Sequence, residues 1–129
     1  MVIKSVLNLT FNDNMREKEQ KKISTDLKEI INKILKNGFK NRQHRIVDTV
    51  EQVQIQNYEI VRDEDDRDQI YVNSIIAEAR VFVIFSEDAK SSDNIILKNQ
   101  NPLSFKYNKD IDNYEIVEET AIFFDATTF

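Results

Sequence analysis

Five carboxylates crowd six positions at Asp63, Glu64, Asp65, Asp66 and Asp68, and such a density could hold a divalent cation. A helix-flanked calcium loop starting at Asp63 would need glycine at its sixth position and glutamate at its twelfth. Asp68 and Ser74 stand there instead, so the cluster predicts a solvated hairpin turn. His44 is the single histidine and cysteine is absent, so a transition metal at His44 would have only carboxylates to complete its shell. As a general base His44 would need an orienting acid and a nucleophile, and Asp48 is the one acid near it in sequence. It is expected to be structural. Glu118 and Glu119, with Glu115 close by, would suit acid–base work only if two carboxylates met, yet adjacent strand residues point to opposite faces. Glu78 and Arg80 share a face and are expected at most to pair with each other. No constellation here predicts an enzyme, a metal or a cofactor.

The basic residues are more informative. Lys33, Lys36, Lys40, Arg42 and Arg45 fall in a stretch with no acidic residue from 30 to 47. Phe39 is the lone aromatic among them, too few for the interleaved aromatics of a nucleic-acid surface. The formal charge of the whole chain is −5, so overall charge does not favour nucleic acid either. What remains is a solvated face, or a dipolar subunit whose basic end meets an acidic end on a neighbour. The chain has one glycine, Gly38, and a phosphate-cradling loop needs several. No window approaches the roughly 20 apolar residues of a membrane span, and "MVIKSVLNLTF" is a poor signal peptide. Membrane partners are therefore not expected.

The elements that must carry these residues follow from periodicity. The 129 residues suit one α+β domain over 1–129. Ile3, Ser5, Leu7, Leu9 and Phe11 alternate as a half-buried strand. Asn14 and Glu17 have capping-box spacing, and Ile23, Leu27, Ile30, Ile31, Ile34 and Leu35 then repeat at helical spacing. The reading is one amphipathic helix over about 15 to 36, ended by Asn37-Gly38 with Gly38 left-handed. Its buried stripe is expected to be Ile23, Leu27, Ile30, Ile31 and Ile34.

Residues 43 to 62 are ambiguous, because Ile46, Val50 and Val53 fit a helix face. The pairs Val53–Ile55 and Tyr58–Ile60 alternate on opposite parities, as a β-bulge or bend would produce. "RDEDDRD" (62 to 68) reads as a hairpin turn, returning along a strand over 69 to 85. Residues 70 to 85 alone would span roughly 53 Å at about 3.3 Å per residue. A domain of this size is only about 36 Å across, so the strand must bend or leave the body. The expectation is a hairpin, 53–80, projecting onto a neighbour at its Asp68 end. Residues 86 to 113 read as a polar stretch with a short apolar run, Ile95 to Leu97, and a possible strand at Ser104 to Tyr107. "NYEIVEETAIFFDATTF" reads as one closing strand. The order is a strand, a helix, then three to five antiparallel strands, with the helix across a curled sheet.

The pieces "KKISTDLKEIINKIL", the hairpin arms around "VRDEDDRDQ" and "NYEIVEETAIFFDATTF" together resemble the layout of small bacteriophage tail and neck completion proteins. The resemblance covers most of the chain at the level of architecture, without a residue motif and without those proteins' second helix before the last strand. It implies a ring-forming, non-enzymatic virion subunit, assembled in a host cytoplasm, whose partners are its own copies and other structural proteins. The interaction residues would then be the basic patch (Lys33, Lys36, Lys40, Arg42, Arg45) and the acidic tip (Asp63, Glu64, Asp65, Asp66, Asp68). The same order of elements also resembles cystatins, which would imply a monomeric binding or inhibitor module.

Overall fold

A computed structural model describes residues 3–8, 15–117 and 123–125, the first and last of these segments by their backbone. Among them, β1 (Ile3–Asn8) is followed by α1 (Glu17–Lys36) and six further strands. These are β2 (Val47–Asp63), β3 (Gln69–Ser86), β4 (Ala89–Asn99), β5 (Leu103–Asn108), β6 (Asn113–Ile116) and β7 (Phe123–Asp125). All pairings are antiparallel, in the order β1-β2-β3-β4-β7, with β5 also on β3 and β6 on β5. The expected α+β class holds: one helix packs on a curled antiparallel sheet. Six strands follow the helix rather than three to five.

Helix α1 places Ile23, Leu27, Ile30, Ile31 and Leu35 in the core. Ile34 is only partly buried against it, so Leu35 takes its expected place in the stripe. The helix starts later than Asn14 would cap. Its N-cap is Arg16, whose backbone N–H donates to Glu19 Oε1 at 2.9 Å. Asn14 itself lies outside the described residues. Glu17 and Glu19 in the first turn and Lys33 and Lys36 in the last complement the macrodipole. Gly38 follows with φ +75°, the left-handed conformation that the sequence led us to expect.

Strand β2 settles the ambiguous segment. Its register against β3 slips between Val47 and Thr49, between Val50 and Gln52, and between Ile55 and Asn57. In each case two steps along β2 match one along β3, which is a β-bulge and reverses the parity. Val47, Val50, Val53, Ile55 and Tyr58 consequently all pack toward the core. The spacing of three that mimics a helix is a strand with bulges.

On β3 the fully buried residues are Ile70 and Val72, then Ile75, Ala77, Ala79, Val81 and Val83. The change of parity falls at Ser74, whose φ is +52°. There three steps of β3, Asn73 to Ile76, oppose two of β2, Glu59 to Asn57. Polar side chains hold this bulge. Ile75 N–H donates to Asn99 Oδ1 at 2.9 Å, and Ser74 Oγ–H donates to Glu59 Oε2 at 3.1 Å. Asn57 Nδ2 donates to the Ser74 carbonyl at 3.1 Å. At the same point β3 changes neighbours, pairing with β5 over Gln69–Val72 and with β4 over Ile76–Ser86.

This resolves the excess of length and corrects the projecting hairpin. The strand bends at its bulge. The end near the 62–68 turn is flanked by β1 on residues 59–63 and by β5 on residues 69–72. Ile60, Val61, Ile70 and Val72 are buried there, so this end belongs to the body of the sheet and is not a free ribbon.

The polar stretch 86–113 is likewise mostly strand, β4 and β5. The expected single closing strand is two pieces: β6 pairs with β5, and β7 pairs with β4 at Leu97–Asn99.

Candidate interaction surfaces

Four of the basic residues, Lys36, Lys40, Arg42 and Arg45, gather where α1 hands over to β2, whereas Lys33 borders a concavity shared with Glu115 and Ile116 of β6. Lys33 and Lys36 sit in the last turn of α1, and Lys40, Arg42 and Arg45 in the loop that enters β2. Asn41, 5% exposed, shapes that loop. Its Oδ1 accepts the N–H groups of Gln43 (3.0 Å) and Arg45 (2.9 Å), and its Nδ2 donates to Asp93 Oδ2 at 2.9 Å. This is an Asx turn reinforced by a third contact. His44 is left-handed, with φ +63°, and its N–H donates to the Asn41 carbonyl at 2.9 Å. His44 thus has a place in a turn. Asp48, the acid proposed to orient it, pairs with Lys90 at 2.8 Å. The folded loop holds Lys36, Lys40 and Arg42 exposed and without ion pairs among the described residues.

Apolar surface accompanies these cations. Ile84 N–H donates to the Ile46 carbonyl at 2.9 Å, and the Arg45 guanidinium lies 4.9 Å from the centre of the Phe85 ring. Ile46, Ile84 and Phe85 are 43%, 39% and 55% exposed. Phe85 has the parity of the buried face of β3, but it lies beyond the core and is covered only in part, by Arg45. An Arg–aromatic contact of this kind is attractive by about 0.5–1 kcal/mol when exposed.

The acidic residues lie at the opposite end of β3. Asp63 Oδ1 accepts Asp65 N–H at 2.8 Å and its Oδ2 accepts the Tyr71 hydroxyl at 3.1 Å. These bonds, the backbone one first, hold the Asp63 carboxyl below its ordinary pKa. Asp66 Oδ1 accepts Asp68 N–H at 3.0 Å, and its other oxygen is 3.5 Å from Lys106. The carboxylates of Asp63 and Asp66 are thus turned back onto their own backbone as hairpin-turn caps, while Glu64, Asp65 and Asp68 are exposed. Among the described residues no three His, Asp or Glu side chains could hold a metal ion. An open concavity of about 680 Å³ adjoins the turn, lined by Asp68, Tyr107, Asp110 and Val117 among others. Val117 and Ile111 are exposed here.

A cluster invisible to sequence spacing anchors this end. Asp112, with φ +49°, accepts from Arg16 (3.0 and 2.9 Å), from Lys18 Nζ (2.7 Å) and from the Tyr107 hydroxyl. These contacts tie the start of α1 to the β5–β6 turn across about ninety residues of chain, the Arg16–Asp112 separation being 96. The Arg16 hydrogen bonds chiefly, then Lys18 and Tyr107, hold the Asp112 carboxyl well below the carboxylate range. The Tyr107 phenol is pushed up, first by donating to that carboxylate. Because the folded-state pKa is depressed, the stabilisation is present above about pH 4, the unfolded value. It is lost as pH falls below that toward the folded value. Asp112→Asn should therefore lower the thermal midpoint at pH 7 and shrink the fall in midpoint on acidification from pH 5 to pH 2. Identical midpoints for both proteins across that range would show that the contacts carry no stability.

The remaining sequence candidates do not converge. Glu78 and Arg80 form no ion pair among the described residues. Glu115 accepts from Asn108 Nδ2 at 3.0 Å, and Glu118 and Glu119 lie outside the described residues. Among the described residues no helix is long and apolar enough to cross a membrane. No family model, curated protein or solved structure matches this chain.

Proposed function

We propose that this chain is a non-enzymatic structural subunit that associates with copies of itself and with neighbouring structural proteins. The ring of a bacteriophage tail or neck, suggested by the layout of its elements, is the setting we favour. The observation that carries the reading is the opposed charge of the two ends of one continuous sheet. Five cations and no anion lie from 33 to 47, whereas Asp63, Glu64, Asp65, Asp66 and Asp68 surround the far turn. Strand β3 runs the whole way between them, so the charges keep their separation as the molecule tumbles. A rigid dipolar subunit favours head-to-tail contact and disfavours like-with-like pairing.

The contact does not use a free hairpin over 53–80, since that segment is paired on both sides at its turn end. It uses the end surfaces themselves. Reversing Lys36, Lys40 and Arg42 to Glu should shift the chain to monomer while leaving the fold intact, because all three are exposed and such surface changes usually cost within about 0.5 kcal/mol. Light scattering reads the first effect and thermal unfolding the second. A triple variant that assembles as the unaltered chain does would remove the electrostatic basis of the proposal.

A further inference from the structure

We infer that the two ends form the two halves of one heterologous contact. The Arg45–Ile46 and Ile84–Phe85 surface of one copy seats against the Asp68, Ile111 and Val117 surface of the next. This rests on the self-association reading above and adds which apolar side chains meet.

The distribution of exposed apolar residues leads to it. Among the described residues the exposed large hydrophobics are Ile46, Ile84, Phe85, Ile111 and Val117. The first three lie together where β2 begins and β3 ends, linked by the Ile84–Ile46 hydrogen bond and the Arg45–Phe85 contact. The other two lie on the β5–β6 hairpin beside the Asp68 end of β3, Val117 past the end of β6 away from the turn, where its N–H donates to the Ser104 carbonyl at 2.9 Å. Ile111 is in the β5–β6 turn, beside the strand whose Tyr107 N–H donates to the Asp68 carbonyl at 2.8 Å. Val117 lines the concavity that also contains Asp68 and Asp110. None lies on the middle of the sheet. Among the described residues the large exposed apolar side chains thus fall near the two charged ends, as at interfaces where a desolvated centre is ringed by charge.

Charge then selects the pairing. Two copies of the cationic end facing each other would oppose Lys40, Arg42 and Arg45 to themselves. A head-to-tail contact instead opposes them to Asp65 and Asp68. The minority charges fit the same arrangement, since Glu87 and Asp88 flank Phe85 while Lys106 and Lys109 line the acidic concavity. A heterologous contact of this type repeats from copy to copy, and closes into a ring where the rotation permits. The occupant of each end is therefore a second copy of this chain.

The test uses two double variants. The head variant carries Arg45→Glu and Phe85→Ser; the tail variant carries Asp68→Lys and Val117→Ser. All four positions are at least partly exposed, and thermal unfolding checks that each variant is folded. Each alone should self-associate about tenfold or more weakly than the unaltered chain, since both anchors of its end are gone. Mixed in equal amounts they should form a pair that grows no further, because each supplies one intact surface. Sedimentation velocity resolves these species. Folded variants that each assemble like the unaltered chain would overturn the assignment of these residues while leaving self-association standing. Loss of assembly in the head variant alone, with no pairing on mixing, would show a like-with-like contact and also overturn it. An unaltered chain that stays monomeric at every concentration would overturn this inference and the proposed function together.

Discussion

Ser74→Pro will destabilise the fold by about 3–6 kcal/mol. The estimate comes from two side chains. Ser74 has φ +52°, and proline holds φ near −65°, so the bulge cannot form in the variant. Without it, β3 keeps a single alternation through 70–83. If Ile75, Ala77, Ala79, Val81 and Val83 stay inside, Ile70 and Val72 turn outward. Both are fully buried, and exposing each costs about 1.5–3 kcal/mol. Against a typical total of about 5–15 kcal/mol the loss is severe. Two companions make the result specific. Ser74→Gly accepts the positive φ and should be at least as stable as the unaltered chain, apart from the lost bond to Glu59. Deleting Ser74 puts Val72 and Ile75 two positions apart, so the alternation becomes continuous without a bulge. The deletion should cost less than the proline. A proline variant as stable as the glycine variant, by urea denaturation, would show that the bulge does not set the register.

Leu27→Ala is expected to cost about 2–5 kcal/mol. A helix within a protein draws most of its stability from its packed face rather than from propensity. Leu27 is at the centre of that face, with no exposure, between Ile23 and the Ile30–Ile31 pair. Truncation leaves a void under the middle of α1, where the chain ends cannot relax to fill it. The urea midpoint should fall with little change in slope. An unchanged midpoint would mean that the helix does not pack through this stripe.

These two sites also mark what the sequence makes readable. Helix α1 is plain from the residues because its burial follows an undisturbed period of 3.6 and its end follows from Gly38. Within that stripe the one difference is Leu35 inside and Ile34 at the margin, where the sheet beneath takes the next position round the helix. Strand β2 is obscured because its bulges space Val47, Val50 and Val53 by three, which is also the spacing of a helix face. Strand β4 is obscured for another reason: Lys90, Ser91, Ser92, Asp93 and Asn94 form no alternation, since Asp93 meets Asn41 where an apolar side chain would otherwise sit. The break between β6 and β7 depends on which strand each segment pairs with, and pairing is not written in local pattern.

The charged ends were visible as clusters, and their placement at opposite ends of β3 is a product of the fold. The residues that shape them were not visible. Asn41 and Asp112, like Asn99 at the bulge of β3, act through contacts with partners far along the chain, and in sequence they are ordinary polar loop or strand-end residues. Loop-rich polar composition gives no sign of which asparagine is buried.

The central claim is that unlike ends of this subunit join. It is tested most directly by the solution mass of the unaltered chain, measured by light scattering over a range of concentrations at about 0.01 M and about 1 M ionic strength, where screening lengths are roughly 30 Å and 3 Å. The account predicts a mass above that of one chain at low salt, rising with concentration and shifting toward one chain at high salt. A mass of one chain at every concentration in low salt would contradict it.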